Sequence, residues 1–98
     1  MPLSKLNRYA RLAMNPRIQQ VLAANDDHTL TLQFANGEVR VFEMSAYLGY
    51  PVFEPLRNIG FFKLARAAHG TVVWPQDIDF DPDTLYLESR AITTQQAA

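Results

Sequence analysis

The feature that most constrains this chain is the segment "LTLQFANGEVRVFE", residues 30–43, in which two alternating apolar and polar runs meet at Asn36-Gly37. Asparagine and glycine tolerate the positive φ angles of a two-residue type I′ turn, and a period of two is typical of a half-buried strand. The segment therefore predicts a β-hairpin. A two-residue turn places Phe34 opposite Val39, and this pair fixes the register of the others.

The predicted register divides the hairpin into a core face and an outer face. The core face carries Leu30, Leu32, Phe34, Val39 and Val41. The outer face carries Thr31, Gln33, Glu38, Arg40 and Phe42. Phe42 is the one large apolar side chain on that outer face, so it needs cover from another part of the protein or from a partner. We therefore predict an interaction surface that includes Gln33, Arg40 and Phe42.

The segments on either side of the hairpin complete a small sheet and its cover. The upstream segment "RIQQVLAANDDHTL" indicates a third strand that runs into a turn at residues 25–27, so the three strands form a meander. The downstream segment "MSAYLGYPVFEPLRN" contains the helix breakers Gly49 and Pro51. We expect short helical turns there, with apolar side chains that cover the sheet.

The segment "FFKLARAAHGTVVW", residues 61–74, allows two interpretations. Residues 64–68 have good helix propensity, but His69-Gly70 followed by "TVVW" indicates a second hairpin, which we favour. Trp74 then belongs to the core. The resulting fold class is α+β, a small mostly antiparallel sheet made of a three-strand meander plus a second hairpin, with short covering helices and a C-terminal capped helix.

The segment "WPQDIDFDPDTLYLES" places acidic residues where a twelve-residue calcium loop has its first, third, fifth and twelfth ligands. The sixth place of such a loop needs a glycine, but here it is Pro82, whose ring fixes φ near −65°. Asp81 as N-cap and Pro82 at the first helical position explain the same residues as the start of a helix. We favour the helix cap, and weak surface binding of divalent ions stays open.

Charge is distributed unevenly along the chain. The first seventeen residues contain four basic residues and no acidic one, although the formal net charge is only −1. Residues 1–15 are predicted to form a basic amphipathic arm, helical, with Arg8 and Arg11 on its basic side as part of the candidate interaction surface. Residues 16–90 form one α+β domain and residues 91–98 a flexible tail. A near-neutral chain lacks the strong basic field of a dedicated nucleic-acid binder.

Few side chains in this sequence are of the types that usually act as nucleophiles, bases or metal ligands. The chain has no cysteine, and its two histidines, His28 and His69, fall in polar turns where we expect them to be solvated. The four glycines are scattered and form no phosphate-binding loop. We therefore predict no enzyme, no metal site and no cofactor. No apolar run suits a signal peptide or a membrane span, so we expect a soluble protein of the reducing cytoplasm with no membrane contact.

Four segments in fixed order, "LTLQFANGEVRVFE", "VFEPL", "GTVVWP" and "DFDPDTLY", resemble a bacterial family known as domain of unknown function 2442, over residues 16–88. Gln76-Asp77 stands where members of that family usually have Asn-Gly. Some relatives carry a helix-turn-helix segment after the domain, and others are similar to products encoded beside small toxin-like proteins. The resemblance implies an α+β fold and a bacterial origin, with no established activity and no catalytic residues to transfer.

Three classes of function remain after these exclusions. The first is a non-catalytic protein-interaction or assembly module, whose partner is another protein or a second copy in a homodimer. The second is a DNA-associated or antitoxin-like regulator, which touches nucleic acid weakly or through a partner. The third is an enzyme or a small-ligand binder, which the thin inventory of reactive side chains disfavours.

Overall fold

A computed structural model describes residues 15–92. The predicted arm, including Arg8 and Arg11, and residues 93–98 lie outside the described residues. The strands are β1 (Ile18–Ala24), β2 (Thr29–Phe34), β3 (Val39–Glu43), β4 (Arg66–Ala68), β5 (Thr71–Trp74), β6 (Ile78–Asp79) and β7 (Arg90–Ala91). Two 3₁₀ helices, η1 (Met44–Tyr47) and η2 (Pro51–Arg57), precede two short α-helices, α1 (Ile59–Phe62) and α2 (Pro82–Leu87).

The strands form two antiparallel sheets rather than one. The first sheet has the order β1-β2-β3-β7, and the second has the order β4-β5-β6. The α+β class, the meander and the second hairpin are confirmed, but the second hairpin does not join the meander. It pairs instead with β6, and a hydrogen bond from the Ile18 amide to the Gly70 carbonyl, 2.9 Å long, ties it to β1.

The first hairpin is confirmed, but its predicted register is wrong by one residue. The Phe34 carbonyl accepts a hydrogen bond from the Gly37 amide at 2.9 Å, and the Phe34 amide donates to the Glu38 carbonyl at 2.8 Å. Gly37 has φ +93°, whereas Asn36 is not among the residues with positive φ. The loop is therefore a type I turn followed by a left-handed glycine, three residues long instead of two. Gln33 consequently pairs with Val39.

This shift moves every side chain of β3 to the opposite face of the sheet. Phe42 lies opposite Leu30 and is 1% exposed, so it belongs to the core and not to the outer surface. Arg40 lies opposite Leu32, also on the core face. Val39 and Val41 take the outer positions that the sequence had assigned to their neighbours. The extra loop residue explains the error, because side-chain direction alternates along a strand.

The core lies between the two sheets and the helices, and it is built from both ends of the described chain. Its fully buried side chains are Leu30, Leu32, Phe34, Phe42, Met44, Leu56, Phe62, Val72 and Leu85. Trp74 is 3% exposed, and its indole N–H donates to the Phe62 carbonyl at 2.9 Å, which satisfies the end of α1. The sequence interpretation of Trp74 as a core residue is confirmed.

Helix α2 begins as the sequence predicts. The Asp81 carboxylate accepts a hydrogen bond from the Thr84 amide at 2.9 Å, and Pro82 is the first helical residue. Asp83 lies in the first turn, where its negative charge interacts favourably with the positive end of the helix dipole. Within residues 15–92, no helix is both long and apolar enough to cross a membrane.

Candidate functional site

The predicted interaction surface is not one surface in the structure. Gln33 lies on the outer face of the first sheet, whereas Arg40 and Phe42 lie on its core face. Phe42 is buried, and the Arg40 side chain is 16% exposed. The three side chains therefore cannot contact one partner together, and a different surface has to be identified from the geometry.

Arg40 belongs to a network of hydrogen bonds that links α2 to the first hairpin. Its Nε donates to Ser89 Oγ at 2.7 Å, and its guanidinium also donates to the Ser89 carbonyl at 2.8 Å and to Glu38 Oε1 at 2.7 Å. The Tyr86 hydroxyl donates to Glu38 Oε2 at 3.0 Å. The hydrogen bond from Arg40 lowers the pKa of Glu38, and burial raises the pKa of Tyr86. This network is satisfied internally, so its role is structural.

A cluster of aromatic rings reaches the surface at Tyr47. The Tyr47 ring lies 5.0 Å from the Phe80 ring, 5.8 Å from that of Phe42 and 6.0 Å from that of Tyr50, between ring centroids. Tyr47 belongs to η1, which follows β3 directly. Its hydroxyl donates to the Glu88 carboxylate, and this hydrogen bond raises the pKa of Tyr47 to about 12.

A cavity of about 250 Å³ opens beside Tyr47. It is lined by Val41, Phe42, Glu43, Ala46, Tyr47, Glu88 and Arg90. Two of the five large apolar side chains that are exposed in the described chain follow Tyr47 closely in sequence, namely Tyr50 at 56% and Val52 at 60%, and the Tyr50 ring contacts that of Tyr47. We call Tyr47, Tyr50 and Val52, with the cavity residues Glu43 and Glu88, the Tyr47 surface.

The Tyr47 surface combines aromatic side chains with two carboxylates. Aromatic side chains are enriched at protein interfaces, because one rigid ring buries a large area at a small cost in conformational entropy. The tyrosine hydroxyl at this surface is held neutral well above physiological pH by the Glu88 hydrogen bond. A hydroxyl that keeps its proton is a hydrogen-bond donor and a poor nucleophile.

A second cavity, of about 210 Å³, lies at the second sheet and shares no lining residue with the first. It is lined by Arg66, His69, Val73, Trp74, Asp77, Ile78 and Asp79. Strand pairing puts Arg66, Val73 and Asp79 in one row across β4, β5 and β6. We call this the Arg66 cavity. Its four ionisable side chains make no hydrogen bond or ion pair with any other residue of the described chain.

His28 is part of the framework, and the expectation that it is solvated is wrong. It has φ +63° at the end of the β1–β2 turn, and its Nε2 lies 2.9 Å from the Leu56 carbonyl. Its ring centroid lies 4.9 Å from that of Phe62. His69 is exposed and lines the Arg66 cavity. Within residues 15–92, no three His, Cys, Asp or Glu side chains are grouped so that they could hold a metal ion.

The sequence interpretation missed both cavities for different reasons. Tyr50 and Val52 flank Pro51 in a segment with two helix breakers, and apolar residues in such a loop are a usable signal of exposure. The Arg66 cavity gives no comparable signal, because Arg66 and Asp79 are brought together only by pairing through β5.

The two small antiparallel sheets and the short helices define a small α+β domain with two open cavities. The chain belongs to the family described as Protein of unknown function (DUF2442), whose profile matches residues 20–91. The suspected family is thereby confirmed. No curated protein and no solved structure matches the chain.

Proposed function

We propose that this protein is a non-catalytic protein-interaction module and that it contacts its partner through the Tyr47 surface. The observation that carries the proposal is the exposed ring of Tyr50 beside the half-buried ring of Tyr47, which lines an open cavity, with the exposed Val52 two residues further along the chain. Grouped apolar side chains with a polar rim are typical of a site that a second protein covers.

Charge favours a partner with basic side chains. All ten acidic residues but six of the nine basic residues of the chain lie within 15–92, so this part has a formal charge of −4. Glu43 and Glu88 line the cavity at the Tyr47 surface against one basic residue, Arg90. An arginine or lysine side chain can stack on Tyr47 and reach either carboxylate. The same negative charge disfavours direct contact with a phosphate backbone.

We place this activity in the bacterial cytoplasm, as the family resemblance and the lack of cysteine favour. The partner is a different protein or a second copy of this chain. A regulator that reaches DNA through its partner would use the same surface, and the identity of the captured protein separates that role from a purely structural assembly.

The test uses the tagged full chain as bait in native bacterial extract. Three baits are compared, namely the wild type, the double variant Tyr50→Ser/Val52→Ser, and the control double variant Leu22→Ser/Leu64→Ser. The control removes two other exposed apolar side chains, 45% and 53% exposed, that lie outside the Tyr47 surface. All four positions are exposed, so each variant should keep the fold.

We expect a protein that binds the wild type and the control variant but not the Tyr50→Ser/Val52→Ser variant. An untagged second copy of the chain, expressed beside the bait, counts as such a protein. The proposal fails if the three baits retain the same proteins, or if none of them retains any protein above the level of the empty resin.

A further inference from the structure

We propose that the Arg66 cavity binds a small zwitterion of the α-amino acid class, with its carboxylate on Arg66 and its ammonium group on the carboxylates of Asp77 and Asp79. This site is separate from the Tyr47 surface and does not depend on the function proposed for it.

The strand register sets opposite charges on two sides of an apolar floor. Arg66 pairs with Val73 on one side, and Asp79 pairs with Val73 on the other. Neighbouring strands are about 4.8 Å apart, so the backbones of Arg66 and Asp79 are separated by roughly 10 Å. The structure shows no ion pair between the two side chains. A molecule with a negative and a positive group can bridge this gap, whereas a single ion satisfies one side only.

The charges of the Arg66 cavity are not neutralised within the described chain, unlike those of Arg40 and Glu38, which form an ion pair at 2.7 Å. At the Arg66 cavity, one guanidinium and two carboxylates line the same space without a partner in the described chain. A guanidinium offers a planar fork of donors that matches a carboxylate, and an ammonium group is complementary to a pair of carboxylates.

Two residues that line the cavity have a left-handed backbone. His69 has φ +55° and Asp77 has φ +58°, and both side chains line the cavity. Aspartate and histidine adopt this conformation more often than most residues other than glycine, so the two turns accommodate these side chains.

The size of the cavity selects the class of ligand. At about 210 Å³, it is smaller than the pockets of roughly 300–1,000 Å³ that hold drug-sized molecules. A free amino acid has the required pair of charges within a small volume. Val73 lies between the two charged sides of the cavity and offers an apolar surface for the side chain of the ligand.

The experiment is a titration of the full chain, labelled with ¹⁵N, followed by amide chemical shifts. Each of the protein amino acids is added in turn up to about 10 mM, which covers weak millimolar affinity. Acetate and methylamine, each with half of the zwitterion's charges, are added separately. The variants are Arg66→Gln and Asp79→Asn, and the control is Glu54→Gln, an exposed acid of η2 outside the cavity. The spectra also report whether each variant is folded.

We expect at least one amino acid to give saturable shifts for amides within residues 66–79. Arg66→Gln and Asp79→Asn should each weaken binding at least tenfold, while Glu54→Gln and Tyr50→Ser/Val52→Ser leave it unchanged. Acetate and methylamine should bind at least tenfold more weakly than the amino acid. The proposal is overturned if no amino acid gives saturable shifts there, if either cavity variant binds as the wild type does, or if acetate or methylamine binds equally well.

Discussion

The guanidinium of Arg40 lies over the ring of Tyr86, with Cζ 4.4 Å from the ring centroid. This cation–π contact, together with two hydrogen bonds from Arg40 to Ser89, joins β3 to α2 and to the residue before β7. Arg40, which the sequence interpretation had placed on the outer face, therefore contributes to the attachment of α2 to the sheet.

Replacement of Arg40 by lysine should destabilise the fold although the charge is kept. Lysine cannot donate through a planar fork to Ser89 and Glu38 while it covers the Tyr86 ring. We expect a loss of about 1–3 kcal/mol in the free energy of unfolding, measured in urea. Arg90→Lys, at an exposed position, is the control and should stay within about 0.5 kcal/mol of the wild type. Equal unfolding free energies of the two variants would show that the Arg40 contacts do not stabilise the fold.

The lowered pKa of Glu38 predicts how stability depends on pH. Because the folded-state pKa lies below the ordinary value of 4.5, the ionised carboxylate stabilises the folded state above that value. The contribution is lost as the pH falls through the lowered pKa. The advantage of the wild type over Glu38→Gln in unfolding free energy should therefore shrink from about pH 6 to about pH 3. An advantage that is constant over this range would contradict the assignment.

Two glycines with open space around them should respond differently to alanine. An added Cβ meets nothing within 4 Å at either Gly37 or Gly49, but Gly37 has φ +93° and Gly49 has no positive φ. Gly37→Ala should cost about 1 kcal/mol, because the left-handed backbone is strained with a side chain. Gly49→Ala should be neutral or slightly stabilising, since it restricts the unfolded chain. Urea unfolding of both variants checks this, and a neutral Gly37→Ala would place the turn elsewhere.

The turn between β5 and β6 is a place where one substitution should stabilise the protein. Gln76 has φ +72° and is exposed. Asparagine tolerates this conformation better than glutamine, so Gln76→Asn should add a few tenths to about 1 kcal/mol to the unfolding free energy. The same change at Gln20, an exposed residue of β1, is the control and should not stabilise, since asparagine is disfavoured in strands. An unchanged melting temperature for Gln76→Asn would show that glutamine is not strained at this position.

Local signals in the sequence located the first hairpin and the start of α2, but they did not reveal α1, β6 or β7. Asn36-Gly37 located the first hairpin, and Asp81-Pro82 located the start of α2 to the residue. The register of the hairpin could not be predicted in the same way, because two-residue and three-residue loops both accept Asn-Gly. The two loops differ in length by one residue. That one residue decided whether Phe42 is in the core or on the surface.

By itself, the sequence determined the α+β class, the family, the first hairpin and the cap of α2, since each depends on short-range backbone preferences or on a motif in fixed order. Only the tertiary structure decided that the strands divide into two sheets, that Arg40 binds Ser89, and which side chains line the two cavities. The sheet arrangement, the Arg40 contact and the cavity linings all depend on contacts between residues that are distant in the sequence. Such contacts are set by packing and strand pairing in three dimensions, and no periodic pattern in the sequence indicates them.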